Sequence, residues 1–537
     1  MNSTKSQINV IEVNNVDAPG EAFNGYSIME KLNKCSNFNV HQLVTIKNTN
    51  NPNVINLFNK NDNNIETQIS KLQKKLSIQN CFSLSTEKLL HSKYFKQADI
   101  VHFHLIHNFN LSLYSLLEIT NQKRTLISIH DPWMFTGRCV HYYDCNKYLI
   151  GCKNCEFLTT MFPMKEDNCK YMWKLKKNIY KKLDAEFIVS SKYMLDLFKK
   201  SPLMKGKKVH YIPLGTNIDF FKDNINKNKI KEYFKIDKDS LVIFHRAQLE
   251  FKGTEYLINA LNKMNINKKI TILTCDGINL FNKLSNKYKV IELGTITKDE
   301  MKKCYIASDI FVMPSIGESF GMMAIEAMSC SRPVIVFDNT ALPMVTFAPK
   351  CGIAVKNLDT EELMKAIKNL LENDDERKRR GKLGRQIVEK YYNEETYLKN
   401  IENLYINLIN SDKKTEKISS PNSYKNNKNV VNLKKKLNKF TKETIDSNSI
   451  LYDKMFFKLK KKEVHSNLKI DYSDIELQKF VSQYNKNLYE AVKTKQIKEK
   501  NEERYYIIFL IKRLIYLIKN DRKRLIKKIK EKIGCDN

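Results

Sequence analysis

The stretch Val312-Met-Pro-Ser-Ile-Gly317-Glu-Ser-Phe-Gly-Met-Met-Ala-Ile-Glu326-Ala-Met328, followed by Pro333-Val-Ile-Val-Phe337, decides the fold. A buried, β-branched run ends at Pro314, and a turn containing Gly317 follows. A helix is predicted to start near Phe320, and one helix length later comes a second apolar run. Strand, turn, helix and strand in that rhythm predict a βαβ unit of a parallel sheet. At the helix start the amides of Phe320, Gly321 and Met322 lack intrahelical partners, which suits an anion or a ring of sugar hydroxyls. Glu318 falls in the loop, where a carboxylate can accept hydrogen bonds from a sugar. Glu326 falls about two turns into the helix, where a carboxylate can take both hydroxyls of a ribose. Taken singly, each glutamate is equally well explained as an acidic residue favoured near a helix start.

Working outward, the same rhythm extends over most of the chain. Strands are predicted at 8–14, 39–47, 100–104, 125–129, 187–190 and 210–213. After a polar break the series restarts at 241–246, 270–275, 290–293, 310–313 and 333–337. Two such series predict an α/β protein of two facing, doubly wound, Rossmann-like domains, 1–213 and 214–410, with ligands beyond the carboxyl ends of the strands. An amphipathic helix carrying Tyr397, Ile401, Leu404, Tyr405 and Leu408 closes the second unit. The polar, Asn- and Ser-rich stretch 411–432 has the composition of a linker, and 433–537 that of a Lys-rich helical tail.

A second constellation joins Arg246, at the end of the 241–246 strand, to Lys252, which precedes Gly253 and a helix. Two cations at one strand mouth can neutralise a diphosphate leaving group without a metal. In the first half, His104 and His130 both stand at strand ends, a position where histidine is more often a satisfied polar residue than a catalyst. Gly20 and Gly25 lie in the turn after the first strand, where a glycine permits close backbone approach to a ligand.

The 312–337 segment closely resembles the donor-site signature of family 4 glycosyltransferases of the GT-B fold, and the resemblance covers most of residues 8–410. It departs from the family at Ser331-Arg332, where members usually carry a glycine before the Pro-Val strand, and at the separated Gly20 and Gly25. The resemblance implies a retaining hexosyltransferase that needs no cofactor for catalysis. Its donor would be a UDP-, GDP- or ADP-linked sugar, contacted by Glu318 at the sugar, Glu326 at the ribose, and Arg246 and Lys252 at the diphosphate. It also raises His130 as a residue of the acceptor side near the donor sugar, for acceptor binding or proton handling, with His104 as a packing or acceptor-pocket residue. A carbohydrate or lipid-linked acceptor, in surface polysaccharide or glycolipid synthesis, follows from the family alone.

Directly after His130, Cys139, Cys145, Cys152 and Cys155 are spaced C-x5-C-x6-C-x2-C. Four thiols in so short a loop are compatible with a structural Zn²⁺, or equally with reduced cysteines packing the loop. The formal charge is +33, and about half of that surplus falls after Asn410. In 505–533 apolar residues recur at three and four with Lys and Arg between them, a pattern suited to an anionic membrane surface or to packing on a neighbouring helix. No secretory segment and no ~20-residue apolar run is present, so a cytoplasmic protein, peripheral on the inner face of the membrane, is expected. The basic surplus also admits a nucleic-acid-binding or scaffold protein on a degenerate GT-B fold. No helix-turn-helix, RNP or zinc-finger pattern supports nucleic acid as a partner.

Overall fold

The computed structural model describes residues 7–18, 23–247 and 250–411, together with Val481, Ser482, Asn485, Lys486, Tyr489 and Glu490 of the tail. Seven parallel strands form the first sheet: β1 (Ile8–Val13), β2 (Phe38–Val44), β3 (Val54–Asn56), β4 (Ile100–His104), β5 (Arg124–Ile129), β6 (Glu186–Val189) and β7 (Val209–Tyr211). Their spatial order is β3-β2-β1-β4-β5-β6-β7. The second sheet holds β8 (Leu241–Ala247), β9 (Ile270–Asp276), β10 (Lys289–Glu292), β11 (Ile310–Met313), β12 (Val334–Phe337) and β13 (Ile353–Val355). Its order is β10-β9-β8-β11-β12-β13, again all parallel. The strand order reverses between β1 and β4 in one sheet and between β8 and β11 in the other. Those two switch points open the crevices where doubly wound sheets bind ligands.

All eleven predicted strands are present, with ends shifted by no more than a few residues. The two strands not predicted, Val54–Asn56 and Ile353–Val355, are three residues long, too short for an alternation to register. Both sheets are covered on two faces, which is why their strands are continuous Val, Ile, Leu and Phe runs.

The helix Glu394–Asn410 begins where predicted, because the Asn393 side chain accepts from the Glu395 amide and caps it. It follows the second lobe in sequence, yet it lays its apolar stripe on the first. Tyr397, Ile401, Tyr405 and Leu408 share one core cluster with Val10, Ile28, Phe38 and Ile100. Arg124 Nε donates to the Leu408 carbonyl at 2.9 Å, which ties the helix end to β5. The chain therefore crosses between the lobes twice, at Gly215-Thr216 and at Tyr392–Glu394. These two crossings are hydrogen-bonded to each other: the Thr216 amide donates to the Tyr392 carbonyl at 2.8 Å, and the Glu394 amide to the Thr216 carbonyl at 3.1 Å.

The described residues of the tail dock on the first lobe. Val481 is buried in that lobe's core. The Asn485 side chain donates to the Cys81 carbonyl and accepts from the Ser83 amide, both at 3.2 Å. Lys486 pairs with Glu118 at 3.0 Å, and the Tyr489 ring stacks on His91 at 4.2 Å. The amphipathic 505–533 pattern and the 411–432 linker lie outside the described residues, apart from Ser411. No helix among the described residues is long and apolar enough to cross a membrane.

Candidate functional site

At the second switch point the four predicted donor residues face one crevice. Arg246, next to last in β8, forms an ion pair with Asp276 at the end of β9, and its other nitrogen lies 3.7 Å from Met323 Sδ. Lys252 Nζ, six residues on, is 2.9 Å from Glu318 Oε2, in the loop after β11. Gly253 makes this contact attainable: its φ is +74°, and a Cβ there would sit 1.9 Å from the Pro314 carbonyl oxygen. The two loops are thus pressed together in a way that only glycine permits.

The helix expected near Phe320 begins instead at Met322, capped by Gly321 at φ +103°. The left-handed turn at Gly321 delays the helix by two residues, so its first amides are those of Met322 and Met323. Phe320 is buried, with its ring 5.6 Å from that of Tyr392. Glu326 sits one turn into the helix, and Tyr305 donates its hydroxyl to Glu326 Oε2 at 2.9 Å. Burial pushes the Glu326 carboxyl up to about 7, against the opposing pull of Tyr305, Lys298 and Arg246. Asp276 and Tyr305 are members of this crevice that the sequence reading did not single out. Asp276 closes an apolar strand just before Gly277, which was a usable signal; Tyr305, inside a helix, offered none.

The first lobe meets this crevice directly. Ser191, after β6, donates its hydroxyl to the Ser319 carbonyl at 2.7 Å. The His141 ring packs 4.7 Å from that of Phe251 and against Gly317, while Asn339 bonds Asp144 at 2.5 Å. Pro132, two residues past His130, lines the same interlobe pocket as Glu318.

At the first switch point His130 does not stand alone. Its Nε2 lies 3.3 Å from His104 Nδ1, and His104 Nε2 lies 2.7 Å from Glu12 Oε2. Tyr405, from the returning helix, donates to Glu12 Oε1, and its oxygen is 2.6 Å from His102 Nδ1. His102 Nε2 meets Ser128 Oγ at 2.8 Å. Glu12, His102 and His104 are wholly buried. Burial alone would raise the Glu12 carboxyl, but the bonds and charges of His102 and His104 hold it down to about 2, so it is ionised. Burial pushes His104 down to about 4 and His130 well below the usual imidazole range. The ligand atoms of Glu12, His102 and His104 all lie within 4.8 Å of one another, close enough to hold a metal ion. Each of those atoms already has a hydrogen-bond partner, so the cluster is saturated as a polar network. Gly25, at φ +94°, passes over it; a Cβ there would lie 3.0 Å from both Glu12 Oε2 and His104 Nε2. Gly20 lies outside the described residues.

The cysteine loop gathers five thiols rather than four. Cys155 is hydrogen-bonded to Cys139 and to Cys169, which starts the helix Cys169–Lys182. Cys152 accepts from the Gly137 amide at 3.2 Å and neighbours Cys145 and Cys155. Two buried cations shape the loop. Lys176 donates to the Trp133 and Thr136 carbonyls at 2.6 and 2.9 Å. Arg138 donates to the carbonyls of Phe157, Thr160, Met161 and Phe162.

Residues 226–387, which contain Arg246, Lys252, Glu318 and Glu326, match the family described as Glycosyl transferases group 1. The second lobe matches the group 1 glycosyltransferase family. Sugar transfer is the enzymatic activity of that family, and the two lobes together have the GT-B architecture. The putative colanic acid biosynthesis glycosyl transferase WcaC of Escherichia coli is 24% identical over 313 residues, 55% of this chain and 75% of that protein. The uncharacterized glycosyltransferase MJ1607 of Methanocaldococcus jannaschii is 35% identical over 107 residues, 19% of this chain and 27% of its own length. Apart from WcaC, the first curated relatives are matched over about a quarter to half of their length. Among solved structures, sucrose-phosphate synthase from Thermosynechococcus elongatus superposes with a TM-score of 0.55 at 20% identity, covering 75% of this chain and 99% of that one. Anabaena HepE in complex with UDP superposes with a TM-score of 0.51 at 13% identity, over 74% and 100%. These likenesses show a shared two-lobed fold.

Proposed function

We propose that the chain moves a hexosyl group, with retention, from a nucleotide-diphospho-sugar to an acceptor hydroxyl in surface polysaccharide or glycolipid assembly. The observation that carries this reading is the convergence of Arg246, Lys252, Glu318 and Glu326 on one switch-point crevice. Lys252 and Arg246 supply the positive charge that a departing diphosphate needs, and their carboxylate partners, Glu318 and Asp276, hold them extended toward the crevice mouth. Glu318 accepts hydrogen bonds from the donor sugar. Glu326, standing on the helix behind, accepts from the ribose hydroxyls in its ionised form. Amides at the start of the Met322–Ser329 helix add their share to the phosphates. The first lobe brings the acceptor, with His130 at its cleft edge. WcaC, named for colanic acid synthesis, and the UDP-bound HepE support a polysaccharide setting and a UDP-linked donor.

The cysteine loop is read as a structural zinc site built on Cys139, Cys145, Cys152 and Cys155. Thiolates are the ligand type that suits a soft divalent ion, while among the described residues only Glu12, His102 and His104 bring three ligand atoms within 4.8 Å of one another. The basic tail is read as a contact for an anionic membrane surface. A thermal-shift screen of the purified chain against UDP-, GDP- and ADP-sugars tests the central reading. Stabilisation by one donor class is expected; a folded protein that none of them shifts refutes it.

A further inference from the structure

The cluster of Glu12, His102 and His104 buries a charge without a permanent cation to answer it. On the face of the first sheet covered by the Glu394–Asn410 helix, β1 carries Val10 and then Glu12, and β4 carries Ile100 and then His102 and His104. Each strand begins apolar and turns polar toward its carboxyl end. Glu12 is ionised and wholly buried, and among the described residues its ion pairs are with His102 and His104 alone, at 3.2 and 2.7 Å. Both partners are imidazoles, which carry charge only when protonated, and burial disfavours that on His104. Buried charges are as a rule paired or bound to a metal. The bonds that saturate the cluster on the inside run among Glu12, His102, His104 and Tyr405 themselves. On the outside each imidazole has a further acceptor: Ser128 Oγ lies 2.8 Å from His102 Nε2, and the Phe23 carbonyl is hydrogen-bonded to His104. An imidazole that ligates a metal through one nitrogen gives its remaining N–H to just such an acceptor. Gly25 adds a gap at the same place. A Cβ there would stand 3.0 Å from Glu12 Oε2 and from His104 Nε2, so the glycine keeps open a position facing both atoms.

We propose that Glu12, His102 and His104 form a binding site for a divalent transition-metal ion, ligated by Glu12 Oε2, His102 Nδ1 and His104 Nε2. The three atoms lie within 4.8 Å of one another. Metal–ligand bonds of ~2.0–2.2 Å set tetrahedral ligand atoms about 3.3 Å apart, so the nearest pair, at 2.7 Å, opens by roughly half an ångström. Two imidazoles and one carboxylate suit zinc and its first-row neighbours; magnesium and calcium take oxygen ligands. When the ion takes the inner nitrogens, the ring proton of His102 rests on Nε2, toward Ser128, and that of His104 on Nδ1. Tyr405 stays on Glu12 Oε1 and holds the ligating carboxylate in place. Tyr405 belongs to the returning helix, so the ion ties the ends of β1 and β4 to that helix, a structural site within the first lobe. It has to displace the hydrogen bonds that now close the ring, which makes the site an exchangeable one, filled by added metal. The site is separate from the cysteine loop, and it stands whether or not the transferase reading does.

Cobalt distinguishes this site from the thiols. The full chain carrying Cys139→Ser and Cys155→Ser, treated with chelator and then titrated with Co²⁺, is expected to bind one equivalent. The spectrum should show the weak visible bands of nitrogen and oxygen ligation, without the near-ultraviolet charge transfer that thiolate ligands add. Zn²⁺ should displace the cobalt and raise the melting temperature. In the same background Glu12→Gln and His104→Gln should weaken binding by ~10²-fold or more, and Tyr405→Phe, which removes only the hydroxyl on Oε1, by ~10- to 100-fold. A folded chain that binds no Co²⁺ overturns the site, and so does undiminished binding by folded Glu12→Gln and His104→Gln. Where these variants do not fold, long-range ¹⁵N–¹H spectra of the wild-type histidine rings decide. Zn²⁺ is expected to shift two rings, one bound through Nδ1 and one through Nε2; rings that Zn²⁺ leaves unmoved overturn the proposal.

Discussion

Replacing Glu326 by Gln sets stability against function at one atom. In the folded chain, burial holds this carboxyl up to about 7, whereas an unburied glutamate sits at 4.5. A buried acid whose pKa is raised binds its proton more tightly in the folded state than in the unfolded one. The native state is therefore penalised as pH rises from 4.5 to 7, and the penalty is fully present above 7. At pH 8 that difference amounts to about 3 kcal/mol by linkage, and water reaching the partly buried carboxylate reduces it to ~1–3 kcal/mol. Glutamine keeps an oxygen for the Tyr305 hydroxyl and carries no charge. Glu326→Gln should therefore raise the melting temperature at pH 8 by a few degrees, with the gain shrinking to under ~1 kcal/mol at pH 5, where the folded carboxyl is protonated and the pH stands only half a unit above the unfolded value of 4.5. Donor binding should weaken at pH 8, because the amide replaces the acceptor that holds two ribose hydroxyls. Scanning calorimetry at the two pH values, with and without the nucleotide-sugar that stabilises the wild type, measures both effects. A pH-independent change in melting temperature would refute the burial argument, and undiminished donor stabilisation would refute the ribose assignment.

Lys252→Ala removes the cation at the diphosphate and leaves Glu318, largely buried, without its ion-pair partner; turnover should fall by ~10²-fold or more, while Lys252→Arg restores part of it, as steady-state kinetics would show. Wild-type donor affinity should drop as pH falls from 8 to 6, since Glu326 is protonated through about 7 and loses its role as an acceptor; a titration across that range should show a single ionisation, absent from Glu326→Gln. Asn485→Ala leaves the Cys81 carbonyl and the Ser83 amide without their side-chain partner in a buried position; it should cost ~1–3 kcal/mol and speed proteolytic removal of the tail, followed by mass spectrometry. If the cysteine loop holds zinc, the purified chain should release about one equivalent to a chromophoric chelator under denaturation, and a Cys139→Ser, Cys155→Ser double variant should release none; a metal-free, fully folded wild type ends that reading.

The proposed donor half is written in local signals. A strand, a glycine turn and a helix start are written within some twenty residues, and Arg246 and Lys252 lie on either side of one loop. The helix start itself was misjudged by two residues, since only the backbone shows that Gly321 takes up the left-handed turn. The acceptor half depends on residues far apart in sequence. Nothing local to Glu12 says that His104, 92 residues away, will hold its charge. Periodicity gave the Glu394–Asn410 helix an apolar face without saying that the face belongs to the first lobe. Alternation with polar residues toward strand ends, in Val10-x-Glu12, Ile100-x-His102-x-His104 and Leu126-x-Ser128-x-His130, was the signal available. It becomes interpretable only once the three strands are known to be neighbours. Cys169 escaped for the same reason, standing fourteen residues beyond the last predicted thiol and joined to it by a loop.

The two sites differ in how they are tied to the hinge. Both crossings between lobes run side by side at Gly215-Thr216 and Tyr392–Glu394, so closely that a Cβ on Gly215 would lie 2.4 Å from Glu394 Cα. Beyond that point the Glu394–Asn410 helix is committed to the first lobe through Tyr405, Ile401 and the Arg124 bond to Leu408. Any opening of the cleft therefore pivots at the paired crossings and carries the donor crevice with the second lobe, while Tyr405 stays seated on Glu12. Among the described residues, the contacts that such a motion must break include Ser191 on Ser319, Asn339 on Asp144, and the His141 ring on Gly317 and Phe251. Those that hold the histidine cluster are buried and lie entirely on the first-lobe side of the pivot. A proposed donor crevice on one side of the paired crossings and a buried histidine cluster on the other is the arrangement expected where substrate entry requires opening.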